Sequence, residues 1–195
     1  MRLFVALDIE EQIRCRIARF IDEVRALAPD ARWVRPESLH ITLKFIGEQS
    51  EGEAAKIQQE LGVIRGTKVD INIRGFGFFP NPRAPRVFWI GVEAEPALAS
   101  LAVAVDASLV SLGVAKEEHE YNPHLTLARG GKGSGSPRQQ KGDAPNRSFE
   151  RLQEKLAAHP APQFGTMTAS EFFLYQSTLG PGGSKYTKLA RFILQ

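Results

Sequence analysis

"SLHITLKF" at residues 38–45 and "NPHLTLAR" at residues 122–129 decide how this chain folds. Each sets a histidine two residues ahead of a threonine in an aliphatic run, and together they use two of the chain's four histidines. Side chains of a strand alternate between faces, so His40 shares a face with Thr42, and His124 with Thr126, while Ile41, Leu43, Leu125 and Leu127 turn to a core. Two such strands, one in each half of the chain, predict two similar lobes related by a pseudo-twofold axis. Their polar strand faces then line one central cleft.

The elements around these strands follow from pattern. "RLFVALD" reads as a strand and is followed by a helix over about residues 9–28, with Ile13, Ile17, Phe20, Ile21 and Val24 on one face and Asp8 and Glu11 in capping-box spacing. A short strand lies around Trp33, and Ser50 with Glu53 opens a second helix after "LHITLKFIG". "KVDINIRGFGFF" and "RVFWIGVE" pair as a hairpin across "PNPRAP", and "PALASLAVAVDASLVSLG" makes a third helix closing at Gly113. Beyond the second histidine strand, "GGKGSGSPRQQKGDAPN" is a basic glycine-rich loop, "RSFERLQEKLAAH" a helix, and "TASEFFLYQS" with "SKYTKLARFIL" a closing hairpin turned by "TLGPGG". The expected fold is α+β: one bilobal domain over residues 1–195, each lobe an antiparallel-rich sheet with outer helices.

Composition bounds the function. The chain has 195 residues, 43% of them apolar, enough for a sizeable core. A net charge of +3 and a pI near 9.1 lean basic, which suits a polyanionic ligand without establishing one. The single cysteine, Cys15, has no disulfide partner, reads as a small buried hydrophobe on the first helix, and fits a reducing cytoplasm. Asp8 interrupts the opening apolar run and no later run approaches about 18 residues, so a soluble, unprocessed protein without a membrane segment is expected.

The matched pair also carries chemistry. Imidazoles, whose ordinary pKa lies near 6.5, both take and give protons at neutral pH, which serves a reaction that makes one bond and breaks another with a proton moved at each end. A phosphodiester fits, with the Thr42 and Thr126 hydroxyls donating to its non-bridging oxygens. The chain has no HxxxH, HxH or CxxC spacing, so neither metal nor cofactor is expected. His119 and His159 receive no role. Parity sets Lys44 on the face of His40, either as positive potential or as a solvated lysine. Arg83, Arg86, Lys132, Arg138 and Lys141 are candidates to meet RNA phosphates without reading sequence. "LGPGG" lacks the phosphate-loop pattern GxxxxGK[ST] and is read as a turn.

These segments resemble the two-histidine phosphoesterases, and within them the RNA 2′,3′-cyclic phosphodiesterases long called 2′-5′ RNA ligases. The likeness runs through "RLFVALDI", "SLHITLKFIGE", "PRVFWIGV", "NPHLTLAR" and "LYQSTLGPGGSKYT", nearly the whole chain. It implies a metal-free bilobal enzyme with a water-filled cleft that opens a terminal 2′,3′-cyclic phosphate to a 2′-phosphate. His40 would be the general acid for the leaving 3′ oxygen and His124 the general base for water. The resemblance also maps Arg129 to a cationic position near the phosphate and Phe45 to an aromatic beside the first motif. Strict alternation opposes both, because it turns them away from their histidines unless the strands bulge; otherwise Phe45 belongs to a core. The implied partner is an RNA or oligonucleotide ending in a 2′,3′-cyclic phosphate; a monomer is the default expectation. The reverse joining reaction and a non-catalytic nucleotide-binding module stand as alternatives.

Overall fold

The computed structural model describes residues 1–94, 96–130, 147–180 and 183–195. Nine strands and four α-helices follow one another among them. They are β1 (Arg2–Asp8), α1 (Glu11–Val24), β2 (Arg32–Trp33), β3 (His40–Glu48), α2 (Glu51–Gly62), β4 (Val69–Phe79), β5 (Val87–Ala94), α3 (Pro96–Val110), β6 (His124–Arg129), α4 (Glu150–Ala157), β7 (Gln163–Ala169), β8 (Glu171–Gly180) and β9 (Gly183–Ile193). All strand pairs are antiparallel, in two sheets ordered β3-β1-β8-β9 and β2-β6-β5-β4-β7. The α+β class with two sheets and outer helices is therefore as expected.

The sheets do not divide the chain in half. β4, from the first half, pairs with β7 from the second as well as with β5, while β8 returns from near the C-terminus to pair with β1 and carries β9 at its far edge. The helices cross over as well. α1 packs on β7, where Arg16 donates to the Phe164 carbonyl at 2.8 Å and Phe20 meets the Phe164 ring at 5.3 Å. α3 packs on α2 and on β3 in the opposite sheet.

Local sequence explains most elements. α1 buries Ile13, Ile17, Ile21 and Val24 along one stripe. Cys15 lies about 200° round the helix from Ile13, so it is exposed rather than buried as expected. The Ser50–Glu53 capping box forms in both directions. The expected Asp8 cap does not, because the α1 N-cap is Glu10 and Asp8 is taken by Arg14 and Lys188. Gly113 adopts φ +80° just beyond α3, a conformation glycine permits without a Cβ clash. Where the pattern of "TASEFFLYQS" predicts one strand, the structure has two: β7 and β8 run consecutively from Gln163 and turn at Ser170 into different sheets.

β1 is buried on both faces. Leu3, Val5 and Leu7 join the main core, while Phe4 and Ala6 join a second cluster with Phe173 and Tyr175, against which Tyr186 packs. That second face is where His40 stands: its ring centroid is 4.8 Å from that of Phe4.

Candidate active site

His40 and His124 are each the first residue of their strand, β3 and β6. These strands lie in different sheets but pack against each other. Each Nδ1 is bonded to the carbonyl oxygen two residues earlier, Ser38 at 2.7 Å and Asn122 at 2.8 Å. A carbonyl only accepts, so Nδ1 holds the hydrogen in both rings and Nε2 is left to exchange protons. In the first case the carbonyl belongs to the turn Pro36–Ser38, itself held by Arg14 donating to the Pro36 carbonyl at 2.7 Å.

Both strands bulge at the same place. On β3 Thr42 pairs with Ala6 and Lys44 with Val5, leaving Leu43 as the extra residue. On β6 Thr126 pairs with Trp89 and Ala128 with Phe88, leaving Leu127 extra. Leu43 and Lys44, and likewise Leu127 and Ala128, are buried in succession. The face parity then resumes one residue late, so Phe45 and Arg129 return to the histidine side. Phe45 is 64% exposed with its ring 6.3 Å from Phe4, which corrects the core reading of this residue. Arg129 is half-buried, and its charge acts on both imidazoles.

The same bulge corrects Lys44. It is 5% exposed, donates to the Ala115 carbonyl at 2.7 Å and pairs with Asp106 of α3 at 2.5 Å, so it is neither solvated nor a cleft charge. Tyr121 adds a second tie from the segment before His124, its hydroxyl donating to the Thr42 carbonyl at 3.1 Å. Thr42 and Thr126 are half-buried beside their histidines.

Aromatic rings wall the site. Tyr186 meets His40 edge-on at 5.1 Å, and Phe79 meets His124 edge-on at 4.9 Å with Trp89 at 6.2 Å. Burial pushes His40 from 6.5 down to about 4; the Ser38 hydrogen bond works against this, the charges of His124 and Arg129 add to it, and Asp8 opposes it. His124 is lowered by burial and by Arg129, against its bond to Asn122. Burial would raise the Asp8 carboxyl, but the Lys188 hydrogen bond at 2.6 Å, the Ile9 amide and the charges of Lys188 and Arg14 hold it below the usual range.

Sequence reading did not single out Asp8, Tyr186, Phe79 or Trp89 at this site. Alternation in β9 does place Tyr186 and Lys188 on one face, and Asp8 is the register partner of His40, but only pairing reveals either. Arg83 is exposed and Arg86 half-buried near the β4–β5 turn, while Lys132, Arg138 and Lys141 lie outside the described residues. Among the described residues no group of three His, Cys, Asp or Glu side chains is placed to hold a metal ion, and no helix is long and apolar enough to cross a membrane.

The model of a family described as LigT like Phosphoesterase matches residues 7–89 and again 90–186. The chain is 35% identical over its full length to the RNA 2′,3′-cyclic phosphodiesterase of Methanothermobacter thermautotrophicus, 99% of which is covered, and 34% identical over 98% of its length to that of Archaeoglobus fulgidus, again covering 99%. Among solved structures, Escherichia coli LigT complexed with 3′-AMP superposes at a TM-score of 0.77 with 26% identity, over 99% of this chain and 97% of that one.

Proposed function

The chain belongs to the LigT-like phosphoesterase family, and from that premise we propose that it hydrolyses 2′,3′-cyclic phosphate ends of RNA to 2′-phosphates with His40 and His124 as an acid/base pair. The observation that carries this reading is the pairing of two imidazoles with the same tautomer, each fixed through Nδ1 with Nε2 left for proton transfer. They stand on strands that pack together, and the charge of His124 is felt by His40.

In the proposed step Nε2 of His124 accepts a proton from water as its oxygen bonds to phosphorus. The P–O3′ bond breaks, and protonated His40 gives its Nε2 proton to the departing 3′ oxygen. A 2′-phosphate and a 3′-hydroxyl result, with one water consumed. Thr42 and Thr126 donate their hydroxyls to the non-bridging oxygens, and Arg129 offers a guanidinium fork to the same anion. Phe45, exposed beside Phe4, gives the sugar or base an apolar surface.

A low pKa suits the base, which must be neutral before it acts. For the acid it requires help, and a bound phosphate anion supplies it by raising His40 towards neutrality. The proposal takes the partner to be an RNA or oligonucleotide end, the protein to be a monomer, and its setting to be the cytoplasm, where an exposed unpaired thiol such as Cys15 stays reduced.

The test is turnover of a dinucleotide ending in a 2′,3′-cyclic phosphate, with the product resolved into 2′- and 3′-phosphates. Wild-type protein should give the 2′-phosphate, and His40→Ala and His124→Ala should still bind but turn over about 10²–10⁴-fold more slowly. Wild-type protein that binds the dinucleotide without converting it would make this a binding module instead.

A further inference from the structure

The two histidine strands match in motif, bulge and tautomer, but what faces each imidazole across its ladder differs. On β1, Ala6 pairs with Thr42 and Asp8 with His40; on β5, Trp89 pairs with Thr126 and Gly91 with His124. Asp8 and Gly91 thus hold the same place relative to the two histidines. Alternation from Phe4 and Ala6 puts the Asp8 side chain on the face of His40, where directly paired residues have Cβ atoms on the order of 5 Å apart. At Gly91 an added Cβ would come within 2.4 Å of the Arg74 carbonyl oxygen, so the ladder admits no side chain there. One imidazole has a carboxylate for a partner, and the other is denied any.

That carboxylate is also bonded into the support of His40. One Asp8 oxygen accepts from Arg14 at 2.7 Å and from the Ile9 amide at 2.9 Å, the other from Lys188 at 2.6 Å. Arg14, whose side chain is 13% exposed, spends its second terminal nitrogen on the Pro36 carbonyl at 2.7 Å. The same carbonyl accepts from the Leu39 amide at 3.2 Å, which closes the turn whose Ser38 carbonyl holds His40 Nδ1. Carboxylate, guanidinium, turn and imidazole form one continuous chain of bonds.

The other groups facing His40 are Tyr175 of β8, Tyr186 and Lys188 of β9, and His124 and Arg129 of β6. The cations among them oppose a protonated ring, and Asp8 favours one. Lys188 and Arg14 share that carboxylate and damp its field, so the effect to expect is modest.

We propose that Asp8 and Arg14 are positioning residues for His40 alone: Arg14 locks the turn that fixes its tautomer, and Asp8 favours its charged form, which gives the acid role to this member of the pair. Gly91 leaves His124 without a carboxylate, as suits a base that must start neutral. The inference rests on the cyclic phosphodiesterase reading and supplies the device that tells its two imidazoles apart.

The experiment has two arms. The first follows kcat against pH for a cyclic-phosphate dinucleotide, where the alkaline limb reports the acid of the complex and the acidic limb its base. Asp8→Asn should move the alkaline limb down by about one pH unit, a tenfold loss of kcat above it, and leave the acidic limb in place. An acidic limb that moves instead, or an even loss at every pH with neither limb displaced, overturns the assignment. Should Asp8→Asn fail to fold with Lys188 left unpaired, Asp8→Asn with Lys188→Gln takes its place. The second arm reads the ring nitrogens by NMR at neutral pH without substrate. Arg14→Gln should release His40 from its single Nδ1–H form, while His124 keeps that form in the same sample and shows the protein folded. A His40 ring that stays as it was overturns the tether. A wild type that fails to convert the dinucleotide defeats the parent reading, whereas the tautomer measurement stands without it.

Discussion

The Lys44 ammonium lies 2.5 Å from the Asp106 carboxylate, so the strand of the first histidine is tied to the helix α3 by a buried ion pair. Lys44 also holds the Ala115 carbonyl, and Asp106 accepts from the Glu117 amide at 3.1 Å, which anchors the segment leading to the second histidine. Removing one partner leaves a desolvated charge alone. Lys44→Ala should lower stability by about 3–5 kcal/mol in denaturant titration, whereas the apolar pair Lys44→Met with Asp106→Leu should recover much of that loss.

Loss of either imidazole should be felt in kcat rather than in binding. General acid or base catalysis contributes about 10²–10⁴-fold per group, so His40→Ala and His124→Ala should each fall by that order, and the double variant by much less than the product. Steady-state kinetics on a cyclic-phosphate dinucleotide reads this directly. Equal and fully additive losses would argue against a concerted pair.

Folding stability should depend on pH through His40. Its folded pKa of about 4 lies below the 6.5 of an exposed histidine, so between these values the unfolded chain binds more protons and stability rises with pH. The contribution is whole above about pH 6.5 and is lost as pH falls towards 4, amounting to about 3 kcal/mol at most. His124 is shifted in the same direction and adds to the slope. Melting His40→Gln across this range should give a flatter profile than the wild type.

Gly77 lies under the Trp89 ring, where an added Cβ would come within 2.1 Å of an indole carbon. Trp89 in turn stands 6.2 Å from His124. Gly77→Ala should therefore displace the ring, shift the intrinsic tryptophan fluorescence and lower turnover, with the protein still folded. An unchanged emission spectrum would mean that the backbone yields instead of the ring.

Much of this site was readable before any coordinates. The histidine and threonine positions need only the twofold alternation of a strand, and the Ser50 capping box and both hairpins need only local signals. What escaped was set by partners rather than by neighbours in sequence. Nothing in "HITLKF" or "HLTLAR" announces that Leu43 and Leu127 find no partner across the ladder, yet those bulges decide that Phe45 and Arg129 rejoin the histidines and that Lys44 does not. Asp8 looked like a helix cap because its competitors, Arg14 and Lys188, arrive from six and 180 residues away. Cys15 is a different case: helical spacing alone puts it off the isoleucine stripe, so its exposure is legible in the sequence and the expectation of burial follows residue type instead of spacing.

The exchange of strands between the sheets has a bearing on how the molecule is assembled. β4 lies in the first matched stretch but pairs within the five-stranded sheet, and β8 lies in the second but pairs with β1 in the other. Severing the backbone in the β4–β5 turn should thus yield two fragments that stay unstructured when purified apart and regain hydrolysis only on mixing. The two stretches matched by one family model are thus knit together so that neither can be withdrawn without unpairing the other's sheet.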